Sequence, residues 1–173
     1  DQAEVLFEAM HTGHSVYATV HADSISETIR RLINPPINVP ANLLTSVNLN
    51  VVMFRDRKRG IRRVYQIGEY LINEDGTVKP NLLYRWKPTE DKIVVHGTSV
   101  RLFDDISMHT GMSQQDIIKD LDEKEKILLW MAKNNIRDLE SVGEIINKYY
   151  TNPESIFKKW KIKFLFLLYH LVN

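Results

Sequence analysis

Apolar and polar positions along this chain change period several times, and each change marks an element. Val5, Leu6, Ala9 and Met10 recur at helical spacing in DQAEVLFEAM, which predicts a first helix. From Val16 the period falls to two: Val16, Ala18 and Val20 alternate with Tyr17, Thr19 and His21, the pattern of a strand. ISETIRRLI is helical again, with Ile25, Ile29, Leu32 and Ile33 on one apolar face. Ser24 is its N-cap, and Glu27 three residues later completes a capping box. NPPINVP ends that helix, because proline lacks an amide donor and pushes the residue before it into extended backbone. ANLLTSV predicts a short helix, and VNLNVVMF, IRRVYQIGEYLI, NLLYRW and KIVVHG predict four strands. Gly60 in RDRKRG and Asp75-Gly76 mark turns between them.

Strand character ends near Gly97, and from Ser99 the period is helical. SVRLFDDISMHTG starts at a cap and stops at Gly111, SQQDIIKDLDEKEKILLWMAKNN starts at Ser113, and DLESVGEIINKYY starts at Asp138. Together they predict a small bundle with the Ile, Leu, Trp and Met positions as its core. The pattern therefore divides the chain into residues 1–97 of α/β character, a helical bundle over 98–157, and a tail over 158–173. The tail's apolar run, Phe164 to Val172, is shorter than the roughly 20 residues a bilayer span needs. Lys158, Lys159, Lys161 and Lys163 interleave with Trp160 and Ile162, which suits a helix docked on the bundle or a segment lying beside anionic lipid.

Composition narrows the classes. The 173 residues are 43% hydrophobic and 26% charged, enough to bury a globular core. Lys and Arg number 23 against 22 Asp and Glu, so no global field points to nucleic acid or an acidic membrane. With no cysteine there is no disulfide framework or thiolate site, which fits a reducing compartment. The acidic opening Asp1 to Glu8 is unlike the basic start of a secretory signal. The sequence contains no GxxxxGK[ST] phosphate loop, so it lacks the backbone cradle and lysine that would hold a nucleotide alone.

His14 and His21 are the first candidates for chemistry. Seven residues of strand span roughly 23 Å at about 3.3 Å each, too far for two ligands of one zinc, so no metal site is expected. His21 stands where a strand gives way to a capped helix, a position at which side chains and helix amides face ligand in open α/β sheets. Arg55, Arg57, Lys58, Arg59, Arg62 and Arg63 form a basic run with Asp56 the one acid among them, and such runs usually cover a solvated hairpin tip. DDISMHTGMSQQDIIKDL has the outline of a helix-turn-helix. Its second helix carries Asp116, Asp120, Asp122, Glu123 and Glu125 against three lysines, which opposes binding to DNA phosphates. A protein-interaction bundle is the better alternative, and no nucleic-acid partner is expected.

LFEAMHTGHSVYATVHADS, RLINPPINVP, RRVYQIGEY, YRWKPTEDK, GMSQQDII and KNNIRDLESVGEIINKYYTNPE, in that order, closely resemble the C-terminal part of archaeal ATPases of the type II/type IV secretion superfamily. The superfamily includes type IV pilus assembly ATPases and the archaellum motor ATPase. The resemblance covers about residues 1–157. It implies an α/β fold, the C-terminal part of a RecA-like P-loop ATPase core holding the His box, followed by a small helical bundle. Walker A, Asp box and Walker B precede the His box in the family and are missing here, so the chain reads as the portion just after Walker B, inactive on its own.

The family's two His-box histidines match His14 and His21, the second lying near the γ-phosphate. Arg62 and Arg63 match a strand near the nucleotide site or the subunit interface, where guanidinium groups neutralise phosphate charge. In the complete enzyme the resemblance implies ATP and Mg2+, a homohexamer, and a polytopic membrane platform protein as partner. It further implies a location in the cytoplasm at the inner face of the membrane. The work of such enzymes is ATP hydrolysis coupled to protein export or to pilus or archaellum assembly.

Overall fold

The computed structural model describes residues 2–159, which divide between Gly111 and Met112 into two compact units. In the first, helices α1 (Gln2–His11) and α2 (Ile25–Ile33) and a 3-10 turn (Ala41–Ser46) precede a four-stranded sheet. Its strands are β1 (Asn50–Asp56), β2 (Ile61–Ile72), β3 (Val78–Lys87) and β4 (Lys92–Val95), each antiparallel to the next in the order β1-β2-β3-β4. Helix α3 (Arg101–Thr110) completes the unit. The mixed α and β character matches the hydrophobic pattern, and β2 occupies the whole of IRRVYQIGEYLI.

Ile25, Ile29 and Leu32 of α2 pack with Phe7, Val39, Leu44, Val52 and Tyr70 into one core. Ile33, assigned by period to the same face, is instead largely exposed at the helix end. Gly68 lets α2 settle on the sheet: a Cβ there would stand 2.5 Å from Ile25 Cδ1 and 2.6 Å from the carbonyl of Asn81. The β2–β3 register shifts between Ile67 and Gly68, and beyond the shift Gly68, Glu69 and Tyr70 are buried in succession.

Two local expectations are corrected. Residues 14–22 form no strand: alternation gives a side-chain pattern, but a strand also needs a ladder partner, and the described strands pair only among themselves. Tyr17 is 99% exposed there. Ser99, read as the cap of α3, instead donates its hydroxyl to Glu69 Oε2 at 3.1 Å. Glu69 itself caps the helix, accepting Val100 N at 2.7 Å and Leu102 N at 3.1 Å. Arg101 then reaches back to the carbonyls of Tyr70, Val47 and Thr45, tying α3 to β2 and to the 3-10 turn. Helix α3, placed by its period with the bundle, is thus part of the first unit.

The second unit contains α4 (Gln114–Lys133), α5 (Leu139–Thr151) and α6 (Pro153–Lys159). Ser113 and Asp116 make a reciprocal capping box on α4, and Asp138 accepts Ser141 N at 2.8 Å on α5. Ile127, Met131, Ile145 and Ile156 form its core. Among the described residues no helix is long and apolar enough to cross a membrane. The readings made for the tail lie, apart from Lys158 and Lys159, outside the described residues.

Candidate functional site around His21

Within the first unit a cleft of about 780 Å³ opens between α1, the segment 16–23, α2 and the β1 edge of the sheet. His21, Asp23, Glu27, Arg31 and Tyr70 are among its polar lining, with Val16, Val20 and Met53 among the apolar positions. His21 is exposed and has no hydrogen-bond partner among the described residues, so both ring nitrogens face whatever enters. It owes its place to the rigid start of α2 three residues on.

That helix start is built differently from the box the sequence suggests. Ser24 Oγ accepts Glu27 N at 3.1 Å as expected, but Glu27 Oε2 reaches past Ser24 to Asp23 N at 2.8 Å. Ile25 N is taken by Gln66 Oε1 of β2 at 3.0 Å. The amides of Asp23, Ile25 and Glu27 are therefore spent within the protein. Glu27 is held below its ordinary carboxylate value first by the Asp23 amide and then by Arg31, whose Nε lies 3.0 Å from Oε1. The imidazole of His21 thus shares the cleft lining with this ionised pair and can donate a hydrogen bond.

His14 is engaged. Its Nδ1 lies 3.0 Å from Thr12 Oγ1, and that hydroxyl in turn lies 3.0 Å from the carbonyl of Ala9. If the hydroxyl proton goes to the carbonyl, Nδ1 carries the hydrogen donated to Oγ1 and Nε2 is left as the open acceptor. His14 does not line the cleft.

Arg62 and Arg63 also lie outside the cleft lining, at the turn end of β2. They point to opposite faces of the strand. Arg63 is held by a two-pronged contact with Asp91, Nε to Oδ1 at 2.7 Å and Nη2 to Oδ2 at 2.6 Å. Trp86 Nε1 donates to the same Oδ1 at 2.9 Å, and Asp91 is lowered to about 2, first by Arg63 and then by Trp86. Arg62 is exposed and pairs across the ladder with Arg55. The four residues singled out from sequence are thus three separate sites, with only His21 on the cleft.

Sequence reading missed Gln66 and Glu69. Both act on amides more than 30 positions away, and no local pattern announces such a contact. Glu69 left one signal, an acid between two residues of an otherwise apolar strand end. In the second unit, Asp116, Asp122 and Glu125 of α4 are exposed, while Lys124 and Lys126 are bound by Asp120 and Asp122 at 2.6 and 2.5 Å. A helix with this many exposed acids and two of its lysines already paired is poorly suited to a DNA groove.

Comparison with known proteins matches residues 1–64 to the family described as type II/IV secretion system protein. An uncharacterized protein of Methanocaldococcus jannaschii is 31% identical over 144 residues, covering 81% of this chain and 20% of its own length. A second from the same organism is 35% identical over 159 residues, covering 86% of this chain and 28% of its own. The type IV pilus assembly ATPase PilB of Pseudomonas aeruginosa is 46% identical over 59 residues, 34% of this chain and 10% of that protein. The chain thus spans under a third of the length of each of these relatives.

Proposed function

Since the chain belongs, through residues 1–64, to the type II/IV secretion system protein family, we propose that it is the C-terminal portion of a secretion or type IV pilus ATPase. In this reading the complete enzyme is a homohexamer at the inner face of a membrane, and it couples ATP hydrolysis to export or filament assembly through a polytopic membrane protein. The RecA-like core is shared between this chain and a segment carrying the phosphate loop. The observation that carries the reading is the coincidence of the matched segment with an open imidazole: His21 lies within residues 1–64 and is the histidine on the cleft.

ATP with Mg2+ would supply the reactive phosphoanhydride and a neutralising cation. Of this chain's residues, His21 fits that group as a donor to phosphate oxygen, the amides of Asp23, Ile25 and Glu27 being already bonded. Arg31 on the same lining is paired with Glu27, and the imidazole is the contact that strengthens when charge builds on the transferring phosphoryl group. His14, bonded to Thr12, steadies the end of α1 ahead of the His21 segment.

Two measurements test this. Calorimetry of the chain alone with ATP and Mg2+ should show no micromolar site. In the ATPase assembled with the phosphate-loop segment, His21→Ala should lower kcat by about a hundredfold and leave KM within about twofold. An unchanged kcat, or equal losses in binding and turnover, would overturn the assignment of His21.

A further inference from the structure

The turn joining β1 to β2 carries five cations that the nucleotide reading leaves unused. Arg55, Arg57, Lys58, Arg59 and Arg62 are all exposed, and none lines the cleft at His21. The one acid among them, Asp56, is turned into the loop, where Oδ1 accepts Lys58 N at 2.9 Å and Arg59 N at 3.2 Å. Its other oxygen lies 3.8 Å from Arg59 Nε, which leaves the remaining four cations without an acidic partner among the described residues.

Arg55 and Arg62 are moreover direct partners across the ladder. Like charges opposed in this way destabilise a hairpin. The contrast with the next residue is informative. Arg63, on the other face, is neutralised by Asp91, so the fold supplies a counter-charge on one side and leaves the opposed pair bare on the other.

We propose that this hairpin tip docks on an anionic lipid surface. A protruding turn with cations spread along both strands offers no concavity to enclose one small anion, but it can meet many headgroup phosphates at once. The opposed arginines, a liability in the free protein, become an asset when phosphates sit between them.

The test is flotation of the full chain with phosphatidylcholine vesicles containing about one-third phosphatidylglycerol, at low salt. The chain should float with these vesicles and stay behind with pure phosphatidylcholine. Arg55→Gln with Arg62→Gln should weaken association by about thirtyfold, each near-surface arginine being worth roughly a factor of five. Replacing Lys158, Lys159, Lys161 and Lys163 by Gln should leave more of the binding than the tip variant does. The tip variant should also melt no lower than the parent in the absence of lipid, because removing opposed charges relieves repulsion. Flotation of the tip variant equal to the parent's would overturn the proposal. So would tighter association with duplex DNA than with the anionic vesicles.

Discussion

Glu69 Oε1 accepts the backbone N–H of Val100 at 2.7 Å, so a carboxylate in the middle of β2 is the N-terminal anchor of a helix 31 positions later. The side chain is fully buried, yet every direction is filled: Asn81 Nδ2 donates at 2.8 Å, Ser99 Oγ at 3.1 Å and Leu102 N at 3.1 Å. Removing it strands these donors. Glu69→Ala should cost about 3 kcal/mol or more, from several buried donors left unpaired. Hydrogen exchange should locate the damage, with protection lost first at Val100 and Leu102.

The same carboxylate sets an acid limit. Burial pushes Glu69 up, but the hydrogen bonds from Val100, Asn81, Leu102 and Ser99 together outweigh it and hold the group below its ordinary value of 4.5. The unfolded chain therefore takes up the proton first. The stabilisation is complete above 4.5 and is lost as pH falls through the lower folded value. Urea midpoints followed downward from neutral pH should show this decline in the parent and a flatter profile in Glu69→Gln.

Asp91 reports a second, more exposed balance. Its carboxyl is lowered to about 2 by Arg63 and Trp86, so the contribution of this pair is complete above the ordinary 3.8, declines below it and is gone once pH falls through about 2. Because both side chains are partly in water, the effect on stability is small and salt-sensitive. The indole N–H resonance of Trp86 is the direct reporter: it should move with an apparent pKa near 2, and in Asp91→Asn it should shift at neutral pH and stop titrating.

Local signals in the sequence located most elements of both units. The span of β2, the turns at Gly60 and Gly76, and the caps Ser24, Ser113 and Asp138 follow from neighbouring residues, and the structure has them where the pattern places them. What escaped depends on distant partners. Val16 to Val20 alternates like a strand, but pairing is decided by whether an edge lies alongside. Ser99 has the chemistry of an N-cap, but a buried carboxylate from β2 competes for the same amides and wins by charge. The candidate site was legible as a list and not as an arrangement. Only the fold separates Arg63, bound to Asp91, from Arg62, and only the fold shows that the amides beside His21 are already bonded.

Arg101 is a sharper test of geometry than of charge. Its guanidinium donates to the carbonyls of Tyr70 at 3.1 Å and Val47 at 3.4 Å, and to that of Thr45. Lysine keeps the charge but has one terminal nitrogen and no planar fork. Arg101→Lys should therefore lower stability by about 1–2 kcal/mol, from carbonyl contacts it cannot reproduce. Equal stability of the two proteins would show that the charge alone, through Asp105 at 3.7 Å, holds this corner.

In the second unit the informative group is a phenol. Tyr149 Oη donates to Asp120 Oδ1 at 2.8 Å and lies 3.4 Å from Glu123 Oε2, while Lys124 Nζ holds the other oxygen of Asp120 at 2.6 Å. Burial, and after it the hydrogen bond to Asp120, pushes Tyr149 well above the ordinary phenol value of 10.0. A folded state that keeps a proton the unfolded chain gives up loses stability as pH rises past 10.0, so this unit should weaken in strong base. Ultraviolet titration of the parent should show two tyrosines ionising late, Tyr149 and the buried Tyr70, and Tyr149→Phe should remove one of them. The substitution should cost about 1 kcal/mol at neutral pH, the worth of one hydrogen bond to a charged acceptor that keeps its lysine. If Tyr149→Phe leaves the number of late-ionising tyrosines unchanged, the link drawn between α4 and α5 is broken.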